Sequence, residues 1–138
     1  MFNLVKIENG RMNVPEPEYF NAKAATEIQV GQALVLSGGV LVPVTAGTTK
    51  PEFISLGYVS ASAAKREIPV ARVNDEQVYE VPVSADPTAL NVGAKVKILV
   101  DGANAGLEVT ADTASGVATI VNLKGAAAAG DKLLVKFV

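Results

Sequence analysis

The chain has 138 residues, no cysteine and no histidine, with a formal net charge of −2. Disulfides and thiolate metal sites are therefore excluded, and so is imidazole, the usual base near neutral pH and the commonest transition-metal ligand. The nine lysines and three arginines are scattered rather than gathered into a stripe, so no nucleic-acid partner is expected.

The length suits one domain, or two small β modules sharing a core. Met1 to Glu8 lacks a basic region followed by an apolar segment of signal-peptide length. The most apolar stretch, Ala33 to Val44, is interrupted by Ser37-Gly38-Gly39 and is too short to span a bilayer. A soluble chain made in the cytoplasm, with no membrane partner, is expected. Hydrophobic residues make up 49% and charged residues 19%, against about 25% charged in an average soluble domain. Surface covered by partners accounts for this, and a high content of Ala and Val accounts for it equally well.

Residues 1–26 show no sustained period of 2 or 3.6, and Val14-Pro15-Glu16-Pro17-Glu18 favours extended backbone. This segment reads as an extended N-terminal arm, followed by a β-barrel or β-sandwich over residues 27–138 with a sub-boundary near 72–75. The arm carries Phe2, Tyr19 and Phe20, three of the seven aromatic residues. Aromatics on an irregular segment need burial, in a partner or against the chain's own barrel. With Leu4 and Val5 they are the candidate residues of a partner or subunit interface.

From Glu27 onward the signals are strands and turns. Ala33-Leu34-Val35-Leu36 and Val40-Leu41-Val42-Pro43-Val44 flank Ser37-Gly38-Gly39 and predict a hairpin. Ile68 to Val73 and Gln77 to Val83, joined around Asn74-Asp75-Glu76, predict a second. Further strands are expected at Ile54 to Ser60, Val96 to Val100, Leu107 to Thr110, Val117 to Leu123 and Leu133 to Val138. Alternation puts Val96, Ile98 and Val100 on one face, and Leu133, Val135 and Phe137 on another, as core residues. Pro43 and Pro82 cannot donate ladder hydrogen bonds, so their strands lie at edges or end there. Glycine precedes an alternating strand at Gly31, Gly93 and Gly130. Ala61 to Lys65 and Ala126 to Ala129 allow short helical turns.

The constellations that could carry chemistry are weak. Ser62-Ala63-Ala64-Lys65 has a Ser-x-x-Lys spacing without its companion motifs. Asp101 to Glu108 lacks oxygen ligands at the alternate positions of a calcium loop. Glu16 with Glu18, and Asp75 with Glu76, are sequence neighbours on exposed turns rather than carboxylates facing across a cleft. Asn122-Leu123-Lys124-Gly125 does not match a biotin-carrier tip. No enzyme activity, cofactor or metal is expected.

The stretch from Glu27 to Val44, EIQVGQALVLSGGVLVPV, with Ile54-Ser55-Leu56-Gly57-Tyr58-Val59 after it, resembles the first half of lambda-type phage head decoration proteins. The likeness covers about a quarter of the chain, and Arg72 to Val138 has no counterpart in the minimal family pattern. The resemblance implies a β-rich protein on the exterior of an expanded capsid. It implies a major capsid protein partner, clustering as trimers, and an N-terminal arm paired against the shell. An arm of that kind predicts that removing Met1 to Ala25 abolishes shell binding while the barrel remains folded. The alternatives are another virion β module from a tail or fibre, or a carbohydrate-binding module. Tryptophan, a common sugar platform, is absent.

Overall fold

Residues 1–8 and 15–138 are described by the structure, a computed structural model. Val14 of the proline segment lies outside the described residues. Among those described there are ten strands and no helix, so neither Ala-rich segment is helical.

The chain is mostly β, built as two five-stranded sheets. The first module contains β2 (Glu18–Asn21), β3 (Ala33–Ser37), β4 (Val40–Pro43), β5 (Phe53–Ser55) and β6 (Glu67–Arg72), in the order β2-β6-β5-β3-β4. A parallel bridge from Ala22 to Leu41 joins the last strand to the first. The second contains β1 (Asn3–Ile7), β7 (Gln77–Pro82), β8 (Lys95–Val96), β9 (Ala118–Asn122) and β10 (Lys132–Lys136), in the order β1-β7-β10-β9-β8. There the segment through Val109 bridges Ile98 on one side and Val83 on the other, closing the sheet.

Alternation explains how each sheet fills. Within the first module Ala22, Ile28, Leu34, Leu41, Phe53, Ile68 and Val70 form one core, with Phe20 packed against it. Tyr79, Val81, Val96, Ile98, Ile120, Leu133, Val135 and Phe137 fill the second, together with Phe2. Val100, expected in the core, is only partly buried at its margin. Ala33, Val44 and Ile54 of the first module belong to this second core, so it also cements the two modules.

The β3–β4 hairpin forms as expected, with Ser37 opposite Val40 and both Gly38 and Gly39 at positive φ. Pro43 lies on the outer strand β4, and Pro82 is the last residue of β7. The second expected hairpin is absent. β6 pairs with β2 and β5, whereas β7 pairs with β1 and β10, so Asn74-Asp75-Glu76 carries the chain from one sheet to the other. The sub-boundary near 72–75 coincides with this crossing.

The structure also differs from the expectation of an arm over residues 1–26. Asn3–Ile7 pairs with β7 and Glu18–Asn21 pairs with β6, so the described part of that segment supplies two strands. Arg66 fastens the following loop by donating to the carbonyls of Lys23 (2.6 Å), Thr26 and Ser60. Deleting Met1 to Ala25 would remove β2 and open the first module. The irregular pattern that reads as an arm arises because β1 and β2 are short and each has one exposed face.

Gln77 is fully buried at the crossing. Its Oε1 accepts from the Tyr79 hydroxyl at 2.7 Å and from the Asn74 N–H at 2.9 Å, while its Nε2 donates to the Arg72 carbonyl at 3.1 Å. Burial pushes the Tyr79 hydroxyl well above its ordinary pKa, so it remains a neutral donor. Removing one partner from such a network leaves buried polar groups unsatisfied. Gln77→Ala should therefore cost about 2–4 kcal/mol in urea unfolding, more than its lost contact area alone implies.

Candidate interaction surface

The sequence places apolar side chains on both faces of β5. Phe53 faces the core of its own module and Ile54 faces the other module. Two residues further, where alternation returns to the Ile54 face, Leu56 stands 47% exposed. Its N–H donates to the Pro69 carbonyl at 2.9 Å, and Pro69 is paired with Tyr19 on β2. Leu56, Pro69 and Tyr19 thus lie side by side across three strands, with Tyr19 60% exposed.

In the other direction this face descends into an apolar groove of about 580 Å³ between the modules. Residues Met1 to Ile7 form one wall, Val30, Gly31 and Leu56 the other, and Ile54, Ala71 and Tyr79 line it as well. The walls are tied by the Phe2 N–H, which donates to the Gly31 carbonyl at 2.9 Å. A side chain at Gly31 would meet Met1 Cβ at 2.5 Å, and its φ of +75° suits glycine. Met1, Val5 and Val30 are large apolar residues left about half exposed around the groove. Single exposed apolar residues are common, but a contiguous set beside a groove is a candidate contact surface.

The five sequence-derived interface candidates separate. Val5 lies on the groove and Tyr19 on the adjoining stripe, both exposed. Leu4 lines the groove and is partly buried against the second core. Phe2 is buried at 3% exposure, its ring centroid 6.3 Å from that of Tyr79 and 5.4 Å from that of Phe137. Phe20 packs on Phe53 at 5.2 Å. Phe2 and Phe20 therefore pack into the two cores rather than standing exposed on this surface. Val30 and Leu56, which line the groove, were not among the candidates. The clue was present for Leu56, because Ile54 and Leu56 share a face and both are apolar.

Among the described residues no group of three or more Asp or Glu side chains is placed to hold a metal. Glu18 is held by Arg72 through two contacts of 2.8 Å. Asn104 donates to Glu108 at 2.8 Å, which ties the glycine-rich loop to itself. Ser62 lies on an exposed turn with its hydroxyl 3.5 Å from that of Ser60. Lys124 sits at φ +51° in a turn where Asn122 Oδ1 accepts its N–H, and its ammonium contacts Glu80.

No protein-family model matches the chain, and no curated protein matches it.

Two outcomes are expected. Leu56→Glu should shift stability by less than about 0.5 kcal/mol, being a surface change, while lowering the fluorescence of an apolar dye bound at the groove. Lys124 and Lys132 hold the Glu80 carboxyl below its usual range, and Arg72 does the same for Glu18. Their folded pKa values lie below the unfolded ones, so their stabilisation is present at neutral pH. It is lost as pH falls through about 4 and below. Thermal melts of Glu80→Gln should accordingly lose less stability than the parent between about pH 5 and pH 3.

Proposed function

We propose that this chain is a structural protein of a tailed-phage particle that binds the exterior of the capsid and stabilises the expanded shell. The observation that carries the reading is the exposed apolar face running from Tyr19 through Leu56 into the groove beside β1. Such a face suits a protein whose work is to adhere rather than to turn over a substrate. The resemblance of Glu27 to Val44 to head decoration proteins supports the choice of partner, the major capsid protein. The tip of the hairpin that carries this resemblance, Ser37 to Gly39, is exposed.

In this reading the protein is made in the host cytoplasm and resides on the virion surface, clustered as trimers. Affinity arises from many copies. A contact of modest strength is retained on a repeating shell when subunits are linked to one another, because loss of one contact leaves the others engaged. The partner need supply only an apolar or extended segment, and Lys6 in the groove wall provides a charge for orientation.

Co-sedimentation with emptied, expanded heads tests this directly. The full chain should saturate at a fixed ratio to the major shell protein, and Leu56→Glu with Tyr19→Ser should bind at least about tenfold more weakly. Failure of the folded parent chain to bind heads that lack it would overturn the reading. Binding to tail fibres or to glycans instead would assign the face to those partners.

A further inference from the structure

The two modules repeat one topology. Taken in chain order, the strands of the first are β2, β3, β4, β5 and β6, joined as first, fifth, fourth, second, third, and back to the first. The second module has β7, β8, the segment through Val109, β9 and β10, joined in the same way.

The register repeats as well. Leu34 opposite Phe53 corresponds to Val96 opposite Ala118. Ser55 opposite Val70 corresponds to Ile120 opposite Val135. Phe20 opposite Ile68 corresponds to Val81 opposite Leu133. The closing parallel bridges, Ala22 to Leu41 and Val83 to Val109, fall at matching places.

Backbone hydrogen bonds outside the strands obey the same correspondence. Gly31 N–H to the Ser55 carbonyl matches Gly93 N–H to the Ile120 carbonyl, each at 2.8 Å. Ser55 N–H to Gln32 matches Ile120 N–H to Ala94, each at 2.9 Å. Ala22 N–H to Arg66 matches Val83 N–H to Asp131, and Lys23 N–H to Leu41 matches Ser84 N–H to Val109. A single alignment of the two halves satisfies every one of these pairs, which generic β structure would not produce.

β1 belongs to neither repeat. It adds to the second edge of β7, with Leu4 opposite Tyr79 and Lys6 opposite Val78, and Phe2 seats against Tyr79 and Phe137. At the matching positions of the first module Tyr79 becomes Glu18 and Phe137 becomes Arg72, an exposed ion pair in place of an aromatic seat. Val78 becomes Pro17, which has no N–H to offer an added strand. One edge is open to a strand and its counterpart is closed.

We infer that the chain is a tandem duplication of one five-stranded unit, and that the β7 edge with its Tyr79–Phe137 seat is a strand-binding site retained in the second unit alone. Its ligand is the segment Phe2–Ile7, exchangeable between copies of this chain. A second copy is the occupant because this segment is the one already fitted to the site. The contacts are the same whether its own chain or a neighbour supplies it, so exchange costs little and links subunits. Both units remain closed when β1 leaves, since neither closing bridge uses it.

The test uses the full-length Phe2→Ala chain and a fluorescent synthetic peptide of residues 1–8. The variant should keep the amides of Gly93 and Ile120 protected from hydrogen exchange and bind one peptide per chain. A peptide with the same Phe2→Ala change should bind about tenfold or more weakly, as expected for loss of a buried aromatic anchor. Wild-type protein, its site filled, should take up peptide at least about tenfold more slowly. Loss of protection at Gly93 and Ile120 in the variant would overturn the inference, because β1 would then be integral to the unit. A folded variant that binds neither peptide, or both equally, would overturn it too. None of these outcomes depends on attachment to a capsid.

Discussion

Closure of each sheet on itself is the constraint on which the rest of this protein depends. The chain has seven aromatic residues and much Ala and Val, so neither module owns the bulky side chains needed to fill a wide space between flat sheets. A short sheet that curls until its first strand meets its third in chain order, at Ala22–Leu41 and Val83–Val109, encloses a volume that small aliphatic side chains can fill. Closure also removes most of the unpaired backbone edge that would invite aggregation.

With both interiors sealed, the outside of the first module becomes the variable surface. Near the second module it is covered, and Ile54 and Ala33 join that module's core. Beyond the covered part it stays apolar at Leu56, Pro69 and Tyr19, where the corresponding outer position on β7 is Glu80, held between Lys124 and Lys132. The matching positions of Leu56 and Pro69 are Val121 and Leu134, also apolar, so the contrast between the two units rests on Tyr19 against Glu80. The groove and the stripe are continuous.

β1 connects these features. It completes the second module's edge, forms one wall of the groove, and places Phe2 in an aromatic cluster with Tyr79 and Phe137. A single short strand thereby couples packing to the exposed surface. Of the segment read as an arm, β2 belongs to the first module and β1 adds to the second.

Local chemistry by itself determined the β class, the β3–β4 hairpin, the positive-φ glycines ahead of β3, β8 and β10, and the inward triplet Leu133, Val135 and Phe137. Each follows from period-two alternation or turn preferences acting within a few residues. Pairing partners were decided only in the tertiary structure. Asn74-Asp75-Glu76 carries the same turn signal whether the next strand returns beside β6 or crosses to another sheet, and Gln77 locks in the crossing through partners the local pattern does not reveal. The same holds for the surface. Phe2 and Val5 look alike as apolar residues near the start of the chain, and only the docking of β1 against β7 sends one into the core and leaves the other at the groove. Of the duplication only a local echo was legible, Val30-Gly31 against Val92-Gly93, since what the two units mainly share is register and hydrogen bonding, which different side chains satisfy equally well.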